Sequence, residues 1–235
     1  MQEQKQEWYY QFVRRDIAAL LPEYAESALE IGCGGGATLD WLRENGHATR
    51  LTGIEINPEA AEVAFSRLDK VYQGDADLHL KNMLPQSQDL VLCLDVLEHL
   101  QDPWQTLKRI SALIKPGGSL IVSLPNIRHY SVLMSLLFKG QWQYAEAGIL
   151  DRTHLRFFTK KSAFELLQSA GFSQIQCIST YTWGGRDQWK DKATLGLFNE
   201  FLSFQYILRA DKPLAQYKPS VVQDCPPRTA EAYPI

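Results

Sequence analysis

SALEIGCGGG, residues 27–36, decides the fold. Its first part, SALEIGC (27–33), is a short, mostly apolar run that reads as a buried strand. Glycines follow it at once, and glycine lets a backbone turn tightly and approach a ligand closely. One carboxylate, Glu30, breaks the run two residues before Gly32. A charge there costs free energy unless something pairs with it.

The pattern outward from this stretch repeats. GATLDWLREN (36–45) predicts a helix closed by Gly46, and TRLTGIEI (49–56) a second strand. Asn57-Pro58-Glu59 opens a helix running to about Leu68, because Asn caps, Pro fits the first turn and Glu suits the positive helix end. DKVYQGDA (69–76) predicts a third strand and QDLVLCLDVL (88–97) a fourth. Asp102-Pro103 starts a further helix with Trp104, Leu107, Ile110 and Ile114 on one face. The turn Lys115–Gly118 leads to a fifth strand, SLIVSLPN (119–126). Strands alternating with helices imply an α/β fold, a doubly wound parallel sheet with helices on both faces. Right-handed crossovers place every strand-to-helix loop along one edge, where such sheets bind ligands.

Composition agrees. The chain has 235 residues, 45% hydrophobic and 22% charged, which excludes a disordered chain, a collagen and a coiled coil. The length suits one large domain, or one domain with an insertion. The net charge of −3 carries no footprint for nucleic acid. The four cysteines form no CxxC pair, so no zinc site or disulfide framework is read from them. MQEQKQEWYY has no apolar signal region, and no apolar run reaches the length of a membrane span. A cytoplasmic protein is expected.

Four acids sit where the first four strands end: Glu30, Glu55, Asp75 and Asp95. Together they imply a ligand rich in hydroxyls, amines or positive charge. Glu55 lies 23 residues beyond Gly32, the spacing at which an acid reaches a ribose diol. Gly32-x-Gly34-x-x-Ala37 also fits a degenerate dinucleotide pattern, so an NAD-dependent oxidoreductase is a competing reading. Glu30 opposes it, since a carboxylate there would repel a diphosphate, and no hydride-transfer site follows. S-adenosylmethionine, a cationic nucleoside without phosphate, fits better.

These stretches resemble the class I S-adenosylmethionine-dependent methyltransferases. LEIGCGGGATLDWL, GIEINPEA, GDAD (74–77) and DLVLCLDVLEHLQDP (89–103) resemble the family's motifs in order, with IKPGG (114–118) in place of LKPGG before the fifth strand, over about residues 25–125. The resemblance implies a seven-stranded, mostly parallel Rossmann-like sheet with its last strand antiparallel. It implies a donor site formed by Glu30, Gly32, Cys33, Gly34, Glu55, Ile56, Asp75, Ala76, Leu94 and Asp95. Glu55 would hold the ribose hydroxyls, Ile56 would lie beside the adenine, Asp75 near its amine, and Leu94, Asp95 and Val96 beside the methionine part. The later run LPNIRHYS…GILDRTHLRFFTKKSAFELLQSAGF resembles a bacterial branch related to quinone and methionine-pathway methyltransferases, whose members often accompany cell-surface polysaccharide genes. A small-molecule, saccharide or lipid-linked acceptor is then expected. A catalytically silent donor-binding partner protein is the alternative within the same fold.

The segments outside the repeat hold the remaining candidates. EWYYQFVRRDIAALL (7–21) has helical spacing and reads as a lid helix within 1–24, carrying Tyr9, Tyr10, Arg14 and Arg15; one of these would meet the donor carboxylate, or the helix has one packed and one solvated side. IRHYSVLMSLLFKGQWQY (127–144) reads as an apolar helix and an aromatic loop, with Leu133, Met134, Leu136, Leu137, Phe138, Trp142 and Tyr144 assigned to core, an acceptor pocket or the face of a homodimer being the alternatives. His154, in DRTHLRFFT (151–159), is the candidate base; its other reading is a structural loop histidine held by Asp151 and Arg156. Asp95, Glu98 and His99 have donor types that could hold a divalent cation, but local roles are preferred and no metal is assigned. A helix in KSAFELLQSAGF (161–172) stopped by Gly171, a strand over 173–180, a helix over 192–202 and a last strand over 203–212 complete the 25–212 domain, followed by a loose tail over 213–235. Trp183, Arg186 and Trp189 lie in a loop that would stack on an acceptor or anchor itself. The lid, 127–159 and 181–200 would together cover the acceptor.

Overall fold

Seven strands form one sheet in the order β3-β2-β1-β4-β5-β7-β6. They are β1 (Ala25–Ile31), β2 (Ala48–Glu55), β3 (Lys70–Gln73), β4 (Gln88–Leu94), β5 (Ile114–Pro125), β6 (Ser173–Thr180) and β7 (Gln205–Asp211). The structure, a computed structural model, describes residues 12–181 and 198–214. Strands β1 to β5 pair in parallel, while β7 runs antiparallel to both β5 and β6. Because β1 to β4 are parallel, Ile31, Glu55, Gln73 and Leu94 all end at one edge.

Side-chain alternation along the strands gives the sheet two buried faces. Leu29, Ile31, Val91, Cys93, Leu120 and Val122 share one core with Leu107, Ile110 and Leu113 of α4 (Pro103–Leu113) and Leu166 and Leu167 of α6 (Lys160–Ser169). Ala28, Leu51, Leu90, Leu92 and Ile121 share the other with α1 (Ala37–Glu44) and α2 (Pro58–Phe65), and with Ile17 and Leu20. The remaining helices are α3 (Ala76–Leu80), α5 (Tyr130–Lys139) and α7 (Asn199–Leu202).

Several expected boundaries shift, each for a local reason. Strand β1 stops at Ile31 because Gly32 turns with φ +69°; a Cβ there would come within 2.7 Å of Val96 Cγ2. The third strand is shorter than 69–76. Asp75 caps α3 instead, its Oδ1 accepting from the Asp77 and Leu78 amides. The fourth strand ends at Leu94, short of the expected Leu97, since Asp95 takes φ +55° and a 3-10 helix spans Leu97–His99. The Lys115–Gly118 turn lies inside β5, where pairing with β4 shifts register between Gln88 and Leu90. Helix α5 covers only part of 127–144: the His129 side chain caps it and Gly140, at φ +61°, stops it. The lid helix expected over 7–21 is, in its described part, a 3-10 helix over Arg15–Leu20. The helix expected over 192–202 is seen as the single turn Asn199–Leu202, its earlier part lying outside the described residues. No described helix is long and apolar enough to cross a membrane.

Candidate active site

Glu30 and Glu55 sit side by side at the carboxyl edge, both buried. Glu55 is held by backbone: Oε2 accepts from the Gly34 amide at 2.8 Å and Oε1 from the Asn57 amide at 2.8 Å. The glycine loop and the start of α2 are thus fixed on one carboxylate. Glu30 has no such support. Its Oε2 is buried without a hydrogen-bond partner among the described residues. Burial pushes its pKa up to about 8; Arg14 opposes this and Glu55 adds to it. A cationic, hydroxyl-rich group would relieve both effects, so the edge fits the donor's chemistry. Cys33 is buried behind the loop, and burial raises its thiol pKa above the ordinary range, so it packs rather than reacts. Ile56, 70% exposed just beyond Glu55, offers an apolar surface. Asp75 is exposed, with one oxygen committed to the α3 cap, and Ala76 begins that helix. Leu94 is buried at the end of β4.

Arg14 links these ends across the sheet. Its guanidinium pairs with Asp95, bridges to Asp16 at 3.0 Å, and reaches Ser123 Oγ and Gln205 Oε1 at 3.4 Å each. Asp95 also accepts from Ser123 Oγ at 2.9 Å and from Gln205 Nε2. Burial would lower the Arg14 pKa, but Asp95 and Asp16 more than offset it and the net shift is upward. The Arg14 side chain is therefore neither solvated nor in mere apolar packing. Arg15 is exposed, while Tyr9 and Tyr10 lie outside the described residues. Gln205 is absent from the sequence-derived candidates; its only sequence signal is a polar residue near the start of an apolar strand.

The second group gathers beyond β4. The loop before α6 hangs on the 3-10 helix through the Leu155 and Arg156 amides, which both donate to the Glu98 carbonyl at 2.8 and 3.0 Å. That brings His154 against His99, edge to face, with ring centroids 4.7 Å apart. His154 is 9% exposed, and its Nδ1 lies 3.0 Å from the Ile149 carbonyl. His99 is exposed, with Nδ1 3.2 Å from the Thr153 carbonyl. Burial, then the charge of His154, lowers the His99 pKa. Glu98 is 1% exposed, and neither carboxylate oxygen has a partner among the described residues. Burial, then Asp95, raises its pKa well above the carboxylate range.

The expected companions of these residues are thereby corrected. Asp95 is engaged by Arg14, and it is His154 that gathers with Glu98 and His99. Asp151 bonds Thr153 rather than the His154 ring, and Arg156 reaches the Gln101 carbonyl. The core assignment of the 133–144 apolar group is also overturned. Met134, Leu136, Leu137 and Phe138 are exposed, Leu137 and Phe138 at 74% and 70%, and α5 buries only Val132. Leu133 is only half-buried. Trp183, Arg186 and Trp189 lie outside the described residues.

Comparison with known proteins agrees with the fold. The family profile described as "Methyltransferase domain" matches residues 3–176. A ubiquinone biosynthesis O-methyltransferase of Coxiella burnetii is 28% identical over 180 residues, covering 64% of this chain and 76% of the relative. One from Aeromonas salmonicida is 32% identical over 156 residues, 63% of each chain. A crystal structure of a SAM-dependent methyltransferase from Archaeoglobus fulgidus superposes with a TM-score of 0.63 at 18% identity, over 88% of this chain and 94% of that one. A possible histamine N-methyltransferase from Thermotoga maritima gives 0.62 at 21% identity, over 89% and 95%.

Proposed function

Because the chain belongs to the class I S-adenosylmethionine-dependent methyltransferases, we propose that it methylates a hydroxyl on a small molecule with an apolar portion. The family membership sets the NAD-dependent reading aside. The observation that carries the hydroxyl assignment is the Glu98–His99–His154 cluster, which places proton-accepting groups just beyond the edge where the donor would bind. The O-methyltransferase relatives support the same choice.

Bound S-adenosylmethionine supplies an electrophilic methyl on a sulfonium. Glu55 would hold the ribose hydroxyls with the lone pairs that Gly34 and Asn57 leave free, and Ile56 would cover the adenine. Asp75 and Ala76 would border that base. Gly32, Cys33 and Gly34 would let the backbone approach closely, and Glu30 would answer the donor's positive charge. Leu94 and Asp95 would line the methionine part, with the Arg14 guanidinium, held by Asp95 and Asp16, beside the place of a donor carboxylate. Alignment and exclusion of water are the chain's main contributions to rate. A hydroxyl must also lose its proton. His154 suits this: with its Nδ1 proton given to the Ile149 carbonyl, the lone pair sits on Nε2. The described part of the N-terminal segment and residues 127–159 would enclose the acceptor, the apolar side chains of α5 meeting its apolar portion.

The test incubates the full chain with methyl-labelled donor and matched phenol, alcohol and amine acceptors, and identifies products by mass spectrometry. Methyl ethers are expected. Transfer to amines alone would overturn the hydroxyl assignment, and donor binding without transfer to any acceptor in a cell extract would favour the silent partner.

A further inference from the structure

We propose that Glu98, His99 and His154 bind a divalent first-row transition-metal cation. Each offers one ligand atom, and these atoms all lie within 4.8 Å of one another. The trio joins two separate pieces of chain, the 3-10 helix after β4 and the loop before α6.

Glu98 is the independent observation. It is 1% exposed, with both oxygens unpartnered among the described residues. Protonation alone leaves the problem in place, because a neutral acid still has an O–H to donate. A cation meets the need of a buried carboxylate directly. The histidines are prepared for the same ligand. Each has Nδ1 on a backbone carbonyl, of Thr153 for His99 and of Ile149 for His154. That fixes the tautomer and leaves the lone pair on Nε2, the arrangement that metal-bound histidines adopt. The neighbouring Asp95 is engaged by Arg14, Ser123 and Gln205, which excludes it from the set.

One carboxylate and two imidazoles suit Mn²⁺, Fe²⁺, Co²⁺ or Zn²⁺ better than Ca²⁺ or Mg²⁺, which favour oxygen alone. Three protein ligands leave positions open, and exposed His99 puts an open side toward solvent. What the cation would do rests on the O-methylation reading. A hydroxyl bound to it becomes more acidic and gives its proton to water; in the cation-loaded chain this replaces the base role of His154, which then serves as a ligand, and either way proton loss depends on His154. The oxygen–methyl bond forms as the sulfur–methyl bond breaks, and sulfur leaves as a neutral thioether.

Binding is tested without donor or acceptor, on metal-free, untagged full chain. Co²⁺ is followed by its visible absorption bands and Mn²⁺ by electron paramagnetic resonance. Saturation at a single equivalent is expected, with affinity lowered about 10–100-fold or more in Glu98→Gln and His99→Ala. Glu98→Gln keeps the side chain's size, and His99→Ala changes an exposed ring, so folding is checked by thermal melting. Absence of saturable binding, or unchanged affinity in both folded variants, would overturn the proposal. Methyl ether formation that persists through that result would leave the acceptor reading standing. Cation binding with no ether product would instead sink the acceptor reading alone.

Discussion

The carboxyl edge of β1 to β4 and the chain that follows β5 solve opposite problems. At the edge, each acid sits one short step from a strand end, and parallel pairing brings all four together. Position there follows from order in the chain. Beyond β5, position comes from single long-range contacts: two amides on the Glu98 carbonyl seat His154. The first arrangement tolerates changes in what it binds least, because its backbone is the binding surface. The second can be retuned by one loop. On the proposed reading, donor chemistry would be built into the sheet and acceptor chemistry attached to it.

Substitutions separate the two regions. The largest effect is expected for His154→Ala, with kcat lowered about 10²–10⁴-fold and donor affinity kept. Calorimetry with S-adenosylhomocysteine beside turnover would check this; equal loss of both would make His154 a structural residue and erase the contrast. Leu107→Ala, in the core under β4 and β5, should cost about 2–5 kcal/mol of stability. Urea unfolding measures it, and a loss no greater than for an exposed leucine would contradict the two-faced core. Glu55→Ala should weaken donor binding by about 1–3 kcal/mol while acceptor KM stays level. A changed acceptor KM with intact donor binding would move Glu55 out of the donor half.

A smaller effect sharpens the donor side. The Glu30 pKa rises from 4.5 to about 8, so between those values the folded donor-free chain keeps a proton that the unfolded chain has lost. Stability from this residue therefore falls as pH rises through that window. Glu30→Gln should flatten that part of the pH profile. Donor binding near neutral pH should release a proton, read as a binding heat that varies with the buffer's ionisation enthalpy. A buffer-independent heat would mean that the donor's charge does not reach Glu30. The smallest effect is expected for Leu137→Ala: within about 0.5 kcal/mol of wild-type stability, because the side chain is exposed. A core-sized loss would show that α5 is covered in solution.

The same contrast explains what the sequence can reveal. The five parallel strands, the glycine turn and Glu30, Glu55 and Asp95 are legible, because buried parallel strands are near-continuous apolar runs and strand ends are fixed by them. The antiparallel β7 follows from resemblance, not from periodicity. Helix α3 escapes a sequence reading although Gly-Asp-Ala-Asp holds a cap, because Val71 and Tyr72 just before it have strand character. The 133–144 stripe reads as core because periodicity reports which residues share a helix face, not whether another layer covers it. The partnership of His154 with Glu98 and His99 is not legible: it depends on His154 meeting residues 56 and 55 positions earlier in the chain. No local pattern encodes such a span.

Strand β7 has a consequence for how the chain is made. It lies between β5 and β6, so β5 pairs with the last strand of the sheet to leave the ribosome rather than with β6. Throughout synthesis of residues 126–204, the outer side of β5 is an unpaired edge made of Leu120, Ile121, Val122 and Leu124. Such an edge invites pairing with another nascent chain. Chains cut short before Gln205 are therefore expected to aggregate more readily than chains that include β7.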